Sequence, residues 1–304
     1  MKNYYLLTVL LFGVFVAGGY GRAKSPALQG GPMLSCASLP CVDITLKNGK
    51  HIRMIVDLGD ANSVVNSSVA KEMDLTIDPI SLKDRSGSQI ASDGRAVLEG
   101  AHMGDASLGD VPVLVADLPS ITVKGRAPEV EGVLAYTAFK DRLLRLDYKH
   151  HRVLVSEPLS ADPPCSRFCG DITASTLDNS KAPVLLTTGF ALNGTPVTAR
   201  LDTMFDGTML ISPAAVQKLN LVQENISTSN VPLPYRGSGF IREAHAHREA
   251  FGSQKLAGDN SPLFFTTPQM KVPNDGFDVT VGQELLDAHI LNLDFHSGHF
   301  WMTS

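Results

Sequence analysis

Two aspartates, Asp57 and Asp202, stand at matching places in the two halves of a 304-residue chain, 145 positions apart. Each comes nine residues after the asparagine of an Asn-Gly pair: Asn48-Gly49 leads through Ile52–Val56 to Asp57, and Asn193-Gly194 through Val197–Leu201 to Asp202. Two carboxyl groups held within hydrogen-bond reach cannot both ionise cheaply, so they share one proton and their apparent pKa values separate. The ionised partner can take a proton from a bound water while the protonated one donates to a carbonyl oxygen. Together they hydrolyse an amide without a covalent intermediate. Gly59, two residues after Asp57, allows the sharp turn that aims backbone N–H groups at the carboxylate.

The elements around these residues repeat as well. Asn-Gly is a hairpin turn signal, and the β-branched and apolar runs after it place each aspartate at the end of a strand that follows a tight turn. Ser67-Ser68-Val69-Ala70-Lys71-Glu72 matches Ser212-Pro213-Ala214-Ala215-Val216-Gln217, and both predict a short helix opened by a hydroxyl residue. Glu131-Gly132-Val133-Leu134-Ala135 runs on to Leu146-Asp147-Tyr148. Its counterpart, Asp278-Val279-Thr280-Val281-Gly282, runs on to Leu293-Asp294-Phe295, at a constant offset of 147. Three ordered matches point to two homologous lobes, 24–156 and 184–304. The Pro-containing stretch 157–183 is expected to be a linker or crossover, and residues 111–116 an edge strand because of Pro112. Strands of four to eight residues dominate, so the fold class is all-β with short helices. Asp147 and Asp294 are assigned to the closing hairpin of each lobe.

Composition removes other functions. The net charge is −5, so the basic face of a general nucleic-acid binder is lacking, and 43 % hydrophobic residues suffice for a core. The long apolar run is Leu6–Gly18; with Lys2 before it and Gly21-Arg22-Ala23 after it, residues 1–23 read as a cleaved export signal. Its removal leaves no membrane segment and implies a secreted or periplasmic protein. In that setting the four cysteines are expected as disulfides, with local pairing of Cys36 with Cys41 and Cys165 with Cys169 preferred among three connectivities. His150-His151, His245-Ala246-His247 and His289/His296/His299 lack a defined ligand spacing, so no metal site is expected. Neither a phosphate-binding loop nor a dinucleotide fingerprint occurs, so no cofactor is expected.

Asp57-Leu58-Gly59 with Val64-Val65, and Asp202-Thr203-Met204 with Leu210-Ile211-Ser212, resemble the D-[TS]-G loops of pepsin/retropepsin-like aspartic peptidases. The segments at 131–135 and 278–282 resemble that family's second signature. The resemblance implies a bilobal acid-protease fold with a cleft between the lobes, in a form like the bacterial proteins with two fused retropepsin-like lobes. It also implies a monomer with pseudo-twofold lobes, catalysis by Asp57 and Asp202, loop support from Gly59 and Thr203, and a peptide or unfolded protein as substrate. A hairpin flap is placed at Ile90–Asp117, with its turn at Asp93-Gly94. Four positions depart from the pattern: Leu58 for the loop hydroxyl, Met204 for the loop glycine, and Ala135 and Val279 for signature glycines. Asp60 and Asp206 add carboxylates, which are expected to raise the pKa values of the pair. The expected function is therefore an aspartic endopeptidase, with a non-catalytic peptide- or protein-binding module as the alternative.

Overall fold

The computed structural model describes residues 27–303 except 37–38, 84–88, 91, 118–129, 161–167, 177–182, 193–194, 206, 208, 213–214, 216–217, 220–226, 234–236, 246–249, 252–253, 256–261 and 267–275. The export signal expected at 1–23, the Asn193-Gly194 turn and Asp206 lie outside the described residues. The first half contains β1 (Gln29–Pro32), β2 (Leu34–Cys36), β3 (Leu39–Thr45), β4 (His51–Asp57), β5 (Val64–Asn66), α1 (Ser67–Glu72), β6 (Leu82–Lys83), β7 (Gln89–Ile90), β8 (Gly94–Met103), β9 (Ala106–Ala116), β10 (Gly132–Ala135), β11 (Leu143–Asp147) and β12 (Arg152–Ser156). The second contains β13 (Phe168–Thr176), β14 (Pro183–Leu192), β15 (Thr195–Leu201), β16 (Met209–Ile211), β17 (Ser227–Leu233), β18 (Gly237–His245), β19 (Ala250–Phe251), β20 (Gln254–Lys255), β21 (Pro262–Thr266), β22 (Val279–Val281), α2 (Gln283–Leu286), β23 (Ile290–Asp294) and β24 (His299–Thr303). The fold is all-β with a few short helical turns.

In both halves a hairpin delivers the aspartate. Asn48-Gly49 turns β3 into β4: Gly49 takes φ +82°, Gly49 N–H donates to Leu46 O, and Asn48 Oδ1 accepts from Lys50 N–H at 3.0 Å. Strands β14 and β15 pair as far as Leu192 opposite Thr195, a register that frames a two-residue connection. A later strand then inserts beside each aspartate strand. β10 runs parallel to β4, with Met54 opposite Gly132, and antiparallel to β5; β22 runs parallel to β15, with Ala199 opposite Val279, and antiparallel to β16. The offsets of 145 and 147 in the sequence thus reappear as equivalent strand registers.

The lobes join through a pseudo-symmetric antiparallel seam. Arg145 of β11 lies opposite Asn292 of β23, which are themselves equivalent positions, and Leu144 opposite Leu293 mirrors Leu146 opposite Leu291. Outside this pair, β12 and β24 add on, followed by β1 on one side and β13 on the other, with Gln29 opposite Val155 and Phe168 opposite Met302. Part of the stretch expected to be a linker therefore forms β13, a strand of the joining sheet. Its first residues pair with β24 and its last with β14, so it carries the sheet into the second half.

Other local expectations meet the structure unevenly. Helix α1 forms, but its cap is Asn66, whose Oδ1 accepts from Ser68 N–H at 3.1 Å, and not a serine. Ser212 Oγ accepts from Ala215 N–H at 3.1 Å in the counterpart, as a capping hydroxyl does. Strand β9 lies between β5 and β8, not at an edge. Pro112 is tolerated because it pairs with Val97 of β8, while the pairing with β5 starts only at Leu114. The hairpin expected as a flap belongs to the first-lobe sheet. Its turn is at Gly104-Asp105, where Asp105 Oδ1 takes the Gly30 N–H, and Gly94 merely opens β8. A separate small hairpin, β6–β7, stands off both large sheets, and its tip lies outside the described residues.

The seam rests on a buried polar contact. Arg145 Nε donates to Asn292 Oδ1 at 2.7 Å, Asn292 Nδ2 reaches Trp301 O at 3.3 Å, and Asn292 is fully buried. Asn292→Ala leaves the guanidinium and that carbonyl short of a partner. The substitution is expected to cost about 1–3 kcal/mol, read as a lower urea midpoint at unchanged slope.

Candidate active site

The strand ends bring the two aspartates to the junction of the lobes, where Asp57 is 2 % and Asp202 7 % exposed. Each carboxylate is oriented by its own loop. Asp57 Oδ1 accepts from Gly59 N–H at 2.6 Å, and Asp202 Oδ1 accepts from Met204 N–H at 3.0 Å and Phe205 N–H at 3.2 Å. Gly59 also sits against the opposite aspartate: a Cβ built on it would lie 2.6 Å from Asp202 Cγ and 2.9 Å from Asp202 Oδ1. The same residue therefore holds one carboxylate through its N–H and touches the other with its bare Cα. Any side chain there would wedge the two apart.

Three contacts cross from the second lobe to the first. Thr203 Oγ1 donates to Val56 O at 2.6 Å and accepts from Leu58 N–H at 3.1 Å, so the retained hydroxyl grips both sides of Asp57. The reciprocal grip is missing because Leu58, buried in the first-lobe core, has no hydroxyl to offer. Met204 packs instead with Cys36, Leu39, Cys41, Ile55 and Val133 of the first lobe, an apolar peg where a glycine would leave a gap. Arg200 forms the third contact, donating from Nη2 to Gly59 O at 2.7 Å and pairing with Asp202 Oδ2 at 3.2 Å. Sequence reasoning passed over Arg200. Its signal was present: it occupies the place equivalent to Ile55, a cation in a strand that otherwise matches an apolar one.

Burial holds the Asp57 carboxyl well above its ordinary range, and the negative charges of Asp202 and then Asp60 push it further. The Gly59 N–H and the Arg200 guanidinium act against the rise. The expected effect of the extra carboxylate is thus found for Asp60, whose Oδ1 is held by Ala61 N–H at 2.7 Å. Burial, with a smaller contribution from Asp60, also raises the Tyr136 phenol to about 12.

Conserved geometry of the repeat extends beyond the loops. Glu131 Oε2 accepts from Arg53 N–H at 2.7 Å and Asp278 Oδ2 from Thr198 N–H at 3.0 Å, equivalent bonds that tie each inserted strand to its aspartate strand. Asp147 Oδ1 accepts from His150 N–H at 2.9 Å, and Asp294 Oδ1 from His296 N–H at 3.1 Å, so both close terminal turns away from the pair. Cys36 and Cys41 form a disulfide, and Cys169 is disulfide-bonded too. His299 faces Asp171 at 2.9 Å.

A raised carboxyl pKa has a stability consequence of definite sign. The folded state binds the Asp57 proton more tightly than the unfolded chain, whose carboxyl titrates near 3.8. This contribution is therefore complete below that value and is lost as pH rises through the folded pKa. Asp57→Asn is expected to flatten the fall in stability above pH 4 and to raise the urea midpoint at neutral pH relative to the parent.

Residues 42–138 match the model of the aspartyl protease family. No curated protein matches the chain. Among solved structures, conglutin gamma, a basic 7S globulin from lupine seeds, superposes with a TM-score of 0.50 at 11 % identity, covering 92 % of this chain and 95 % of that one. Basic 7S globulin from soybean gives a TM-score of 0.47 at 11 % identity, covering 91 % and 95 %. The likeness to the lupine protein is one of fold. Residues 42–138, which match that family's model, carry Asp57, its loop and Gly132-Val133-Leu134, and the internal repeat sets Asp202 among strands paired in the same way.

Proposed function

We propose that the chain is an exported aspartic endopeptidase that hydrolyses peptides or unfolded proteins at an Asp57/Asp202 dyad. The observation that carries this reading is Gly59 lying against both carboxyl groups, bonded to one and touching the other. Asp57 keeps the shared proton and donates it to the carbonyl oxygen of the scissile amide. Asp202, as carboxylate, takes a proton from water as the water oxygen attacks the carbonyl carbon. The tetrahedral intermediate collapses when Asp202 passes the proton it took from water to the amide nitrogen, Asp57 takes a proton back from a hydroxyl of the intermediate, and the C–N bond breaks, releasing an acid and an amine. Export is supported by the pattern of residues 1–23 and fits the Cys36–Cys41 disulfide. A monomer suffices, since both lobes of the dyad lie in one chain.

Leu58 and Met204 favour a second reading, a peptide-binding module that keeps the fold without turnover. Among the described residues one hydroxyl grip joins the loops, and catalysis needs their geometry held tightly. Digestion of an unfolded protein at acid pH by the mature chain separates the two. The peptidase reading expects cleavage blocked by a statine-type peptide and lowered about 10⁴-fold by Asp57→Asn or Asp202→Asn; equal cleavage by those variants contradicts it. An inert parent that gains cleavage on Leu58→Thr with Met204→Gly favours the binding module.

A further inference from the structure

Arg200 departs from the pseudo-symmetry, since Ile55 holds the equivalent place, and it sets a cation against the first loop. It leaves β15 two residues before Asp202, and its guanidinium donates to Gly59 O from both Nη2, at 2.7 Å, and Nε, at 3.2 Å. The same Nη2 lies 3.2 Å from Asp202 Oδ2, with the two side chains 24 % and 10 % exposed. A planar, permanently charged fork suits this task, because it can hold a carbonyl of one lobe and a carboxylate of the other in a fixed relation. The repeat shows what is being replaced. Thr203 grips Val56 and Leu58 from the second lobe, and the equivalent return grip would run from a hydroxyl at position 58 to Leu201 and Thr203.

We infer that Arg200 is a positioning residue that supplies the cross-link Leu58 cannot make and fixes the dyad's negative charge on Asp202, leaving the proton on Asp57. The charges around the pair are arranged to match. Asp60, on the first loop, disfavours a negative charge at Asp57; Arg200, on β15, makes its direct ion pair with Asp202, and its opposing pull on Asp57 is the smallest of the effects there. Tyr136 stands near Asp60 and is neutral across the acid and neutral range. Two carboxyl groups that the fold makes equivalent are thereby given different work: an acid in the first lobe and a base in the second. The inference builds on the proposed dyad, but its test needs no turnover.

The test is a carbon-13 NMR titration of the aspartate carboxyls, with thermal melting, on the full mature chain. Arg200→Gln is expected to raise the first ionisation of the pair by about one pH unit or more and to lower the melting temperature by about 2–4 °C. Arg200→Lys keeps the charge but not the fork; it is expected to retain the parent titration while melting lower, and it still reads the charge effect if Arg200→Gln does not fold. Adding Leu58→Thr to Arg200→Gln is expected to restore the melting temperature and leave the titration displaced. An unchanged titration in Arg200→Gln overturns the inference, as does a titration displaced in Arg200→Lys. A parent that cleaves nothing yet shows these displacements removes the peptidase reading and upholds this one.

Discussion

Opposite each other in the strand pair that joins the lobes stand Arg145 and Asn292, the same position of the repeat used twice. An antiparallel pair that meets at equivalent residues has a twofold relation built into its register, and every other equivalence follows from it. The outer strands add in matching register, with Gln29 opposite Val155 and Phe168 opposite Met302. Further out, β10 and β22 insert beside the aspartate strands with the same alignment. Asp57 and Asp202 meet because they are the same point of the repeat, brought to the two sides of one axis. No local feature of either loop could do that alone.

Where the symmetry fails, chemistry is added. Positions equivalent across the axis carry Ile55 and Arg200, Leu58 and Thr203, and Gly59 and Met204. In each pair the second-lobe residue reaches over: Arg200 to Gly59 O, Thr203 to Val56 O, and Met204 into the apolar cluster beside the Cys36–Cys41 disulfide. The first loop is thus the gripped partner and the second loop the gripping one. A symmetric pair of carboxyl groups has no reason to place its proton on one side. Here burial and the nearby Asp60 favour the proton on Asp57, and Arg200 makes its direct ion pair with Asp202.

Much of this was legible in the sequence because a repeat converts spacing into geometry. The Asn48-Gly49 turn, the Ser212 cap and the short-range Cys36–Cys41 pair follow from local chemistry that acts within a few residues. What was misread depends on contacts distant in sequence. Pro112 suggested an edge, but a proline also fits an inner strand at a place its neighbour does not reach. Asp93-Gly94 is a good turn dipeptide, yet the β8–β9 hairpin turns at Gly104-Asp105, where Asp105 can also hold Gly30. Prolines between 157 and 183 hid β13, a strand stabilised only by its two neighbours in space. Arg200 was missed for a similar reason: a cation in a strand is unremarkable until the other lobe is seen to lie beside it.

A working dyad requires the two carboxyl groups to act as one unit on a single group placed between them. The most direct measurement is a crystal structure of the mature chain bound to a statine-type peptide at acid pH. The inhibitor's hydroxyl is expected within hydrogen-bond reach of both Asp57 and Asp202, with Gly59 still bonded to Asp57 and Arg200 still bridging Gly59 and Asp202. An inhibitor bound away from the pair, or a pair held apart so that the hydroxyl reaches only one carboxyl group, would contradict it.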